Sequence, residues 1–178
     1  QLHQLPEVDV PEIAFVGRSN AGKSSCINTL TQQKQLAYAS KKPGRTQHIN
    51  LFTLGRQGIT DAVLADLPGY GYAAVSRSDK MRWQQVMADY LEVRRSLTGL
   101  VLMIDSRLGL TDLARQLLGF VGPRIANGAV RLLVLLTKAD KLNRSEAALA
   151  LIAAQQALGE LTTDEADVNV ALFSALKK

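Results

Sequence analysis

Apolar positions along this chain fall into short runs, separated by longer stretches in which they recur with a helical period. Runs near 13–17, 49–54, 62–66, 99–105, 130–137 and 168–173 predict strands, and stretches near 23–32, 80–96, 111–126 and 145–158 predict helices. The run Val130-Arg-Leu-Leu-Val-Leu-Leu136 has the near-continuous apolar character of a strand covered on both faces. Strands alternating with helices predict an α/β fold, a mostly parallel six-stranded sheet with helices on both faces. The strand near 49–54 is predicted as an antiparallel edge, joined to the next by the turn Gly55-Arg-Gln-Gly58. No repeat, low-complexity tract or linker interrupts the pattern, so the 178 residues are expected to form one domain. In such sheets, ligand loops gather at the carboxyl ends of the strands.

The first such end carries Gly17, Arg18, Ser19, Asn20, Ala21, Gly22, Lys23 and Ser24, followed by Ser25. This matches the phosphate-binding pattern G-x-x-x-x-G-K-[ST], and it sits where the pattern needs to sit, between a strand and a helix. Backbone amides and the helix N-terminus would cradle phosphates there. Lys23 would reach the β- and γ-phosphates, and the Ser24 hydroxyl would bind Mg2+.

Three later strand ends extend the pattern. Asp66, Leu67, Pro68 and Gly69 close the third run. Asp66 could hold Mg2+ through a water, and Gly69 could bring its own N–H to the γ-phosphate. Thr137, Lys138, Ala139 and Asp140 close the fifth. A carboxylate at Asp140 can accept from guanine N1–H and the 2-amino group together, which adenine does not offer. Lys138 can lay its aliphatic stem along the base. Phe173, Ser174 and Ala175 close the last, where a backbone N–H would meet guanine O6. Between the first helix and the second strand, Pro43, Gly44, Arg45 and Thr46 form a loop in which Thr46 would join the Mg2+ shell when GTP is bound.

The ordered set GRSNAGKSS, PGRTQ, DLPGYGYA, TKAD and FSAL resembles the translation-factor-related P-loop GTPases allied to Era and TrmE. Within them it is similar to the EngB (YihA/YsxC) group of bacterial ribosome-biogenesis GTPases. The resemblance covers the chain from Ile13 to Lys178 and implies a Ras-like G domain that binds GTP and GDP with Mg2+. It implies a role late in assembly of the large ribosomal subunit. It also implies a closing helix after the last base-contacting loop. The chain begins at Gln1 and stops at Lys178, so it is expected to be a piece of something longer.

Charge bears on the partner. The net charge is +5, and no acidic residue lies between Glu12 and Asp61. That stretch holds Arg18, Lys23, Lys34, Lys41, Lys42, Arg45 and Arg56; a second basic group holds Arg77, Lys80, Arg82, Arg94 and Arg95. A basic surface toward rRNA phosphates of the large subunit or its precursor is expected. Tyr70 and Tyr72 beside it could stack on a base or pack under their own loop. Cys26 is the only cysteine and reads as a small buried packing residue, in keeping with a reducing cytoplasm. No apolar run approaches the roughly 18 residues of a membrane helix, so no membrane partner is expected. A monomer is the default.

Hydrolysis calls for an oriented water and compensation of charge on the transferred group. Ras-like enzymes orient the water with a Gln after the D-x-x-G motif; here that position is Tyr70. Intrinsic turnover should therefore be slow, with catalytic contributions from Lys23 and Thr46. Asn20 resembles the phosphate-loop Asn of potassium-stimulated relatives, where a bound K+ supplies charge. Other readings are a GTP-binding interaction module that barely hydrolyses, the G domain of a larger tRNA-modification or transport protein, and an ATPase or small-molecule kinase, against which Asp140 argues. If Asn20 holds a cation, GTP turnover is faster in potassium than in sodium salts, and equal rates contradict that role.

Overall fold

The computed structural model of the chain describes residues 5–6, 8–18, 21–32, 49–69 and 76–176. Among the described residues six strands and four α-helices alternate, save that β2 leads directly to β3: β1 (Glu12–Gly17), α1 (Lys23–Thr31), β2 (Asn50–Arg56), β3 (Ile59–Asp66), α2 (Arg77–Val93), β4 (Leu97–Asp105), α3 (Asp112–Ala126), β5 (Arg131–Thr137), α4 (Arg144–Ala157) and β6 (Val168–Leu172). They form one sheet in the order β2-β3-β1-β4-β5-β6. Every pairing is parallel except β2 with β3.

The sheet has a core on each face because its central strands are apolar at both alternations. Ala14, Val16, Leu100, Leu102, Leu132 and Val134 point into the larger core, which Met87, Leu91, Leu117 and Val121 of α2 and α3 complete. Phe15, Leu64, Val101, Met103 and Leu135 point the other way, against Cys26 and Ile27 of α1. Cys26 is buried with its thiol pushed up to about 11 by burial, as suits a packing residue.

The edge strand and its antiparallel sense are as the sequence predicts, but the turn is tighter. β2 runs on through Arg56, with an irregular register between Leu54 and Gly55, and only Gln57 and Gly58 turn, at φ 53° and 79°. Two residues at positive φ match the twist of a hairpin. α2 also starts three residues earlier than the periodicity predicts. Ser76 accepts from Asp79 N at 3.2 Å and so caps the helix at Arg77.

Arg94 is not where the charge pattern puts it. It ends α2 with 8% of its surface exposed. Its guanidinium grips the fully buried Glu12, with Nη2 to Oε1 at 2.9 Å and Nε to Oε2 at 3.1 Å, and Nη2 also reaches Pro6 O at 2.8 Å. Tyr90 donates its hydroxyl to Glu12 Oε2, and Ser96 Oγ donates to Oε1 at 3.2 Å. Burial first, and then the Glu12 charge, push the Tyr90 phenol far above its ordinary value. Arg94 is thus spent inside the fold and leaves the basic surface. Arg77, Lys80, Arg82 and Arg95 stay exposed.

Candidate nucleotide site

The phosphate loop is shaped by two glycines. A Cβ on Gly17 would lie 2.9 Å from Met103 O and 3.1 Å from Met103 Cβ, so the approach of β1 to β4 leaves no room for a side chain. Gly22 sits at φ 91°, a left-handed conformation that turns the loop into α1. The other three α-helices each open on a capping side chain and an acidic first turn: Ser76 and Asp79, Thr111 and Asp112, Asn143 and Glu146. α1 has neither. Among the described residues no side chain accepts from its first amides, and its dipole favours an anion at that end. Lys23, Ser24 and Ser25 form this first turn, with Ala21 buried behind it. Arg18 borders a narrow cleft with Asp105 and Leu108. Ser19 and Asn20 lie outside the described residues, as do Pro43, Gly44, Arg45, Thr46, Tyr70 and Tyr72.

Lys23 reaches across to β3. Its ammonium pairs with Asp66 Oδ1 and donates to Leu67 O at 2.6 Å, and the two side chains are 11% and 6% exposed. Leu67 N in turn donates to Phe15 O at 3.0 Å, so the Asp66 loop continues beside β1 before leaving the sheet. Ser24 and Asp66 offer hard oxygens of the kind a magnesium ion takes, and among the described residues no group of three His, Cys, Asp or Glu forms an all-protein metal cage. Magnesium commonly takes one or two protein oxygens and completes its shell with phosphate oxygens and water.

At the far side, β5 and β6 deliver Thr137 to Asp140 and Phe173 to Ala175, the segments expected to meet a base. Thr137 Oγ1 donates to Ile104 O at 3.1 Å and locks the end of β5 to β4. Lys138 follows in a left-handed conformation at φ 56°, and Ala139–Lys141 forms a 3-10 turn. Ala139 N donates to Phe173 O at 3.1 Å, and Phe173 N donates to Leu136 O at 2.9 Å. Ser174 Oγ donates to Asp140 Oδ1 at 2.8 Å, and Leu176 N donates to Ser174 Oγ at 3.2 Å. The two segments are therefore stitched together, and Ser174 fixes the rotation of the Asp140 carboxylate. Ala175 follows directly.

Asp105 belongs to this cluster, although it is not among the residues the sequence singles out. It closes β4, pairs in register with Thr137, and is 6% exposed. Arg107 clasps it with Nε to Oδ1 at 3.0 Å and Nη2 to Oδ2 at 2.8 Å, and Lys138 Nζ lies 3.5 Å from Oδ2. The Arg107 hydrogen bond, aided by the Lys138 charge and opposed by burial, holds its carboxyl at about 2. Asp105 thereby anchors the ammonium of Lys138 and sets the course of its stem. The sequence does carry a signal, an acidic residue closing a buried strand as at Asp66, but not the two cations that meet it.

Comparisons with known proteins bear on the family and the fold. The profile of the family described as "50S ribosome-binding GTPase" matches residues 12–138. The chain is 69% identical over 179 residues to "Probable GTP-binding protein EngB" of Acidovorax ebreus, covering all of this chain and 78% of that protein. It is 64% identical over 180 residues to the protein of the same description from Albidiferax ferrireducens, covering 82% of it. Among solved structures, one titled as a probable GTP-binding protein engB superposes with a TM-score of 0.70 at 19% identity, over 93% of this chain and 89% of that one. Era, solved with MgGDPNP and a segment of 16S ribosomal RNA, gives 0.64 at 23% identity, over 96% of this chain and 53% of that one. At these identities the structures attest the fold.

The clasp on Asp105 has a pH signature. Its folded value of about 2 lies below the ordinary 3.8, so its stabilisation is fully present above about pH 4 and is lost as pH falls through about 2. Unfolding free energy of the unaltered protein should therefore drop between those pH values more steeply than that of Asp105→Asn. Parallel curves in acid denaturation would contradict the clasp.

Proposed function

The chain belongs to the EngB family of GTP-binding proteins, and from that premise we propose that this GTPase is a nucleotide-gated factor in assembly of the large ribosomal subunit. The observation that carries the nucleotide half is the uncapped N-terminus of α1 facing the Lys23–Asp66 pair, with Ser174 holding Asp140 at the other end of the row. Phosphate at α1 and magnesium near Asp66 would each take one partner of that ion pair.

In this reading Gly17 to Ser25 bind the phosphates, and Lys23 neutralises the β- and γ-oxygens. Ser24 and Thr46 would hold Mg2+, with Asp66 behind a water. The ion would supply charge neutralisation on the phosphates. Asp140 reads guanine N1 and N2, Lys138 covers the base, and Phe173-Ser174-Ala175 meets O6. Tyr70 in place of a Gln keeps intrinsic turnover low, so hydrolysis waits on the partner.

The ribosomal half rests on the family description and on charge. Arg77, Lys80 and Arg82 lie exposed on α2, which begins soon after the loop that senses the γ-phosphate. RNA phosphates would meet this face, with a response to nucleotide built in. No helix among the described residues is long and apolar enough to cross a membrane. The proposed setting is the cytoplasm, where the protein would act as a monomeric G domain.

Pelleting with purified large subunits tests the proposal. Strong co-sedimentation with a non-hydrolysable GTP analogue and little with GDP is the expected result. Equal or absent binding in the two states would contradict a nucleotide-gated ribosome factor and leave only the nucleotide site.

A further inference from the structure

Trp83 is the single tryptophan of the chain. It stands in α2 and packs partly buried against the larger core. Its indole Nε1–H donates to Pro68 O at 3.0 Å, inside the Asp66–Gly69 loop. Neither the sequence motifs nor the comparisons give this residue a role.

The bond matters because of what lies across the same peptide. The carbonyl oxygen of Pro68 and the amide hydrogen of Gly69 belong to one planar trans unit, so they point in opposite directions. The preceding carbonyl, Leu67 O, faces the phosphate loop, where Lys23 Nζ holds it at 2.6 Å. Successive carbonyls of the loop thus have different masters: Leu67 O is held by Lys23, and Pro68 O is held by α2. The Gly69 amide, trans to Pro68 O, is therefore turned away from Trp83 and α2.

The post that holds Pro68 is itself fixed. Downstream in α2, Tyr90 and Arg94 grip Glu12 of β1, and Arg124 of α3 donates to Leu91 O at 2.9 Å and to Arg94 O at 2.7 Å. Directly after the tryptophan, Gln84 Nε2 donates to Gln116 Oε1 of α3 at 3.2 Å. α2 is therefore tied at several points along its length, and Trp83 is a rigid donor rather than a follower of the loop.

We propose that Trp83 is a positioning residue that pins the Pro68–Gly69 peptide with its amide toward the phosphate site, favouring a nucleoside triphosphate over a diphosphate. The inference rests on the nucleotide reading given above. A diphosphate has no γ-phosphate to meet that amide, so the tryptophan bears on triphosphate binding alone. An amide donating to a charged oxygen is among the stronger hydrogen bonds, and its misalignment is felt in the ratio of the two affinities.

Two replacements separate the hydrogen bond from packing. Trp83→Phe removes the donor and some bulk. Because the tryptophan is unique, biosynthetic replacement by 3-benzothienylalanine changes this position alone, putting sulfur for N–H in a ring of nearly the same shape. Affinities for GDP and for the β,γ-imido analogue of GTP are measured by calorimetry with magnesium, beside the melting temperature. The expected result is GDP affinity within about twofold of the unaltered protein and analogue affinity lowered about tenfold in both, with the benzothienyl protein melting near the unaltered one. An unchanged ratio of the two affinities, whether both hold or both fall, overturns the proposal. If the unaltered protein binds neither nucleotide, the site itself is misread and the inference falls with it. If it binds both and the ratio does not move, only the role of Trp83 is wrong.

Discussion

A buried ammonium must be met by negative charge or by carbonyl oxygens, and Lys23 is met by both from the neighbouring strand end. Its pair with Asp66 and its bond to Leu67 O tie the first turn of α1 to the close of β3. This is possible because β1 and β3 are adjacent and in register, with Phe15 beside Asp66. The same parallel order carries the rest of the site outward. Asp105 closes β4, Thr137 and Lys138 leave β5 beside it, and Phe173 and Ser174 leave β6 beyond that. Each strand end contributes one piece of chemistry, and each piece is held by a bond to its neighbour. A shift of one strand in the sheet would break the row.

The opposite end of the sheet holds the other costly group. Glu12 is fully buried at the start of β1, and its carboxylate accepts from Arg94, Tyr90 and Ser96. Removing charges from water is expensive, and a buried pair gives little net stability unless its hydrogen bonds are completed. Here they are, and the result is geometric. The carboxyl end of α2 is fixed to the floor of the sheet, while Trp83 on the same helix meets the Asp66 loop at the roof. One helix thus spans from the structural ion pair to the Asp66–Gly69 loop. Its exposed Arg77, Lys80 and Arg82 lie toward the roof end.

Much of this was legible in the sequence. Short apolar runs placed five of the six strands within about two residues, because strands buried on both faces leave few polar positions to confuse the pattern; β3 starts three residues before its run, at Ile59, where the exposed hairpin end Ile-Thr-Asp carries no apolar run. The places of the glycine loop, Asp66, Asp140 and Ser174 at the carboxyl ends of strands were legible because each follows an apolar run directly. Four features were not. Arg94 looked like a surface charge, since nothing local shows that Glu12, distant in sequence, will be buried beside it. Asp105 and Trp83 act through partners supplied by tertiary packing, Lys138 and Pro68, which no spacing rule links to them. The start of α2 was missed for a local reason: apolar periodicity outweighed the Ser76 cap and its Asp79 partner. The loop that holds Thr46, and the segment with Asn20, lie outside the described residues, so their expected roles rest on the motif alone.

The central claim is that this row of strand ends reads guanine through Asp140. It is tested most directly by the nucleotide preference of Asp140→Asn. The amide offers a donor where the carboxylate accepted from the 2-amino group, so the account predicts weaker GTP binding and a switch toward xanthosine triphosphate, whose 2-oxo group accepts that donor. Tight GTP binding with no gain for xanthosine triphosphate would mean that the base is read elsewhere, and would contradict the assembly of the site described above.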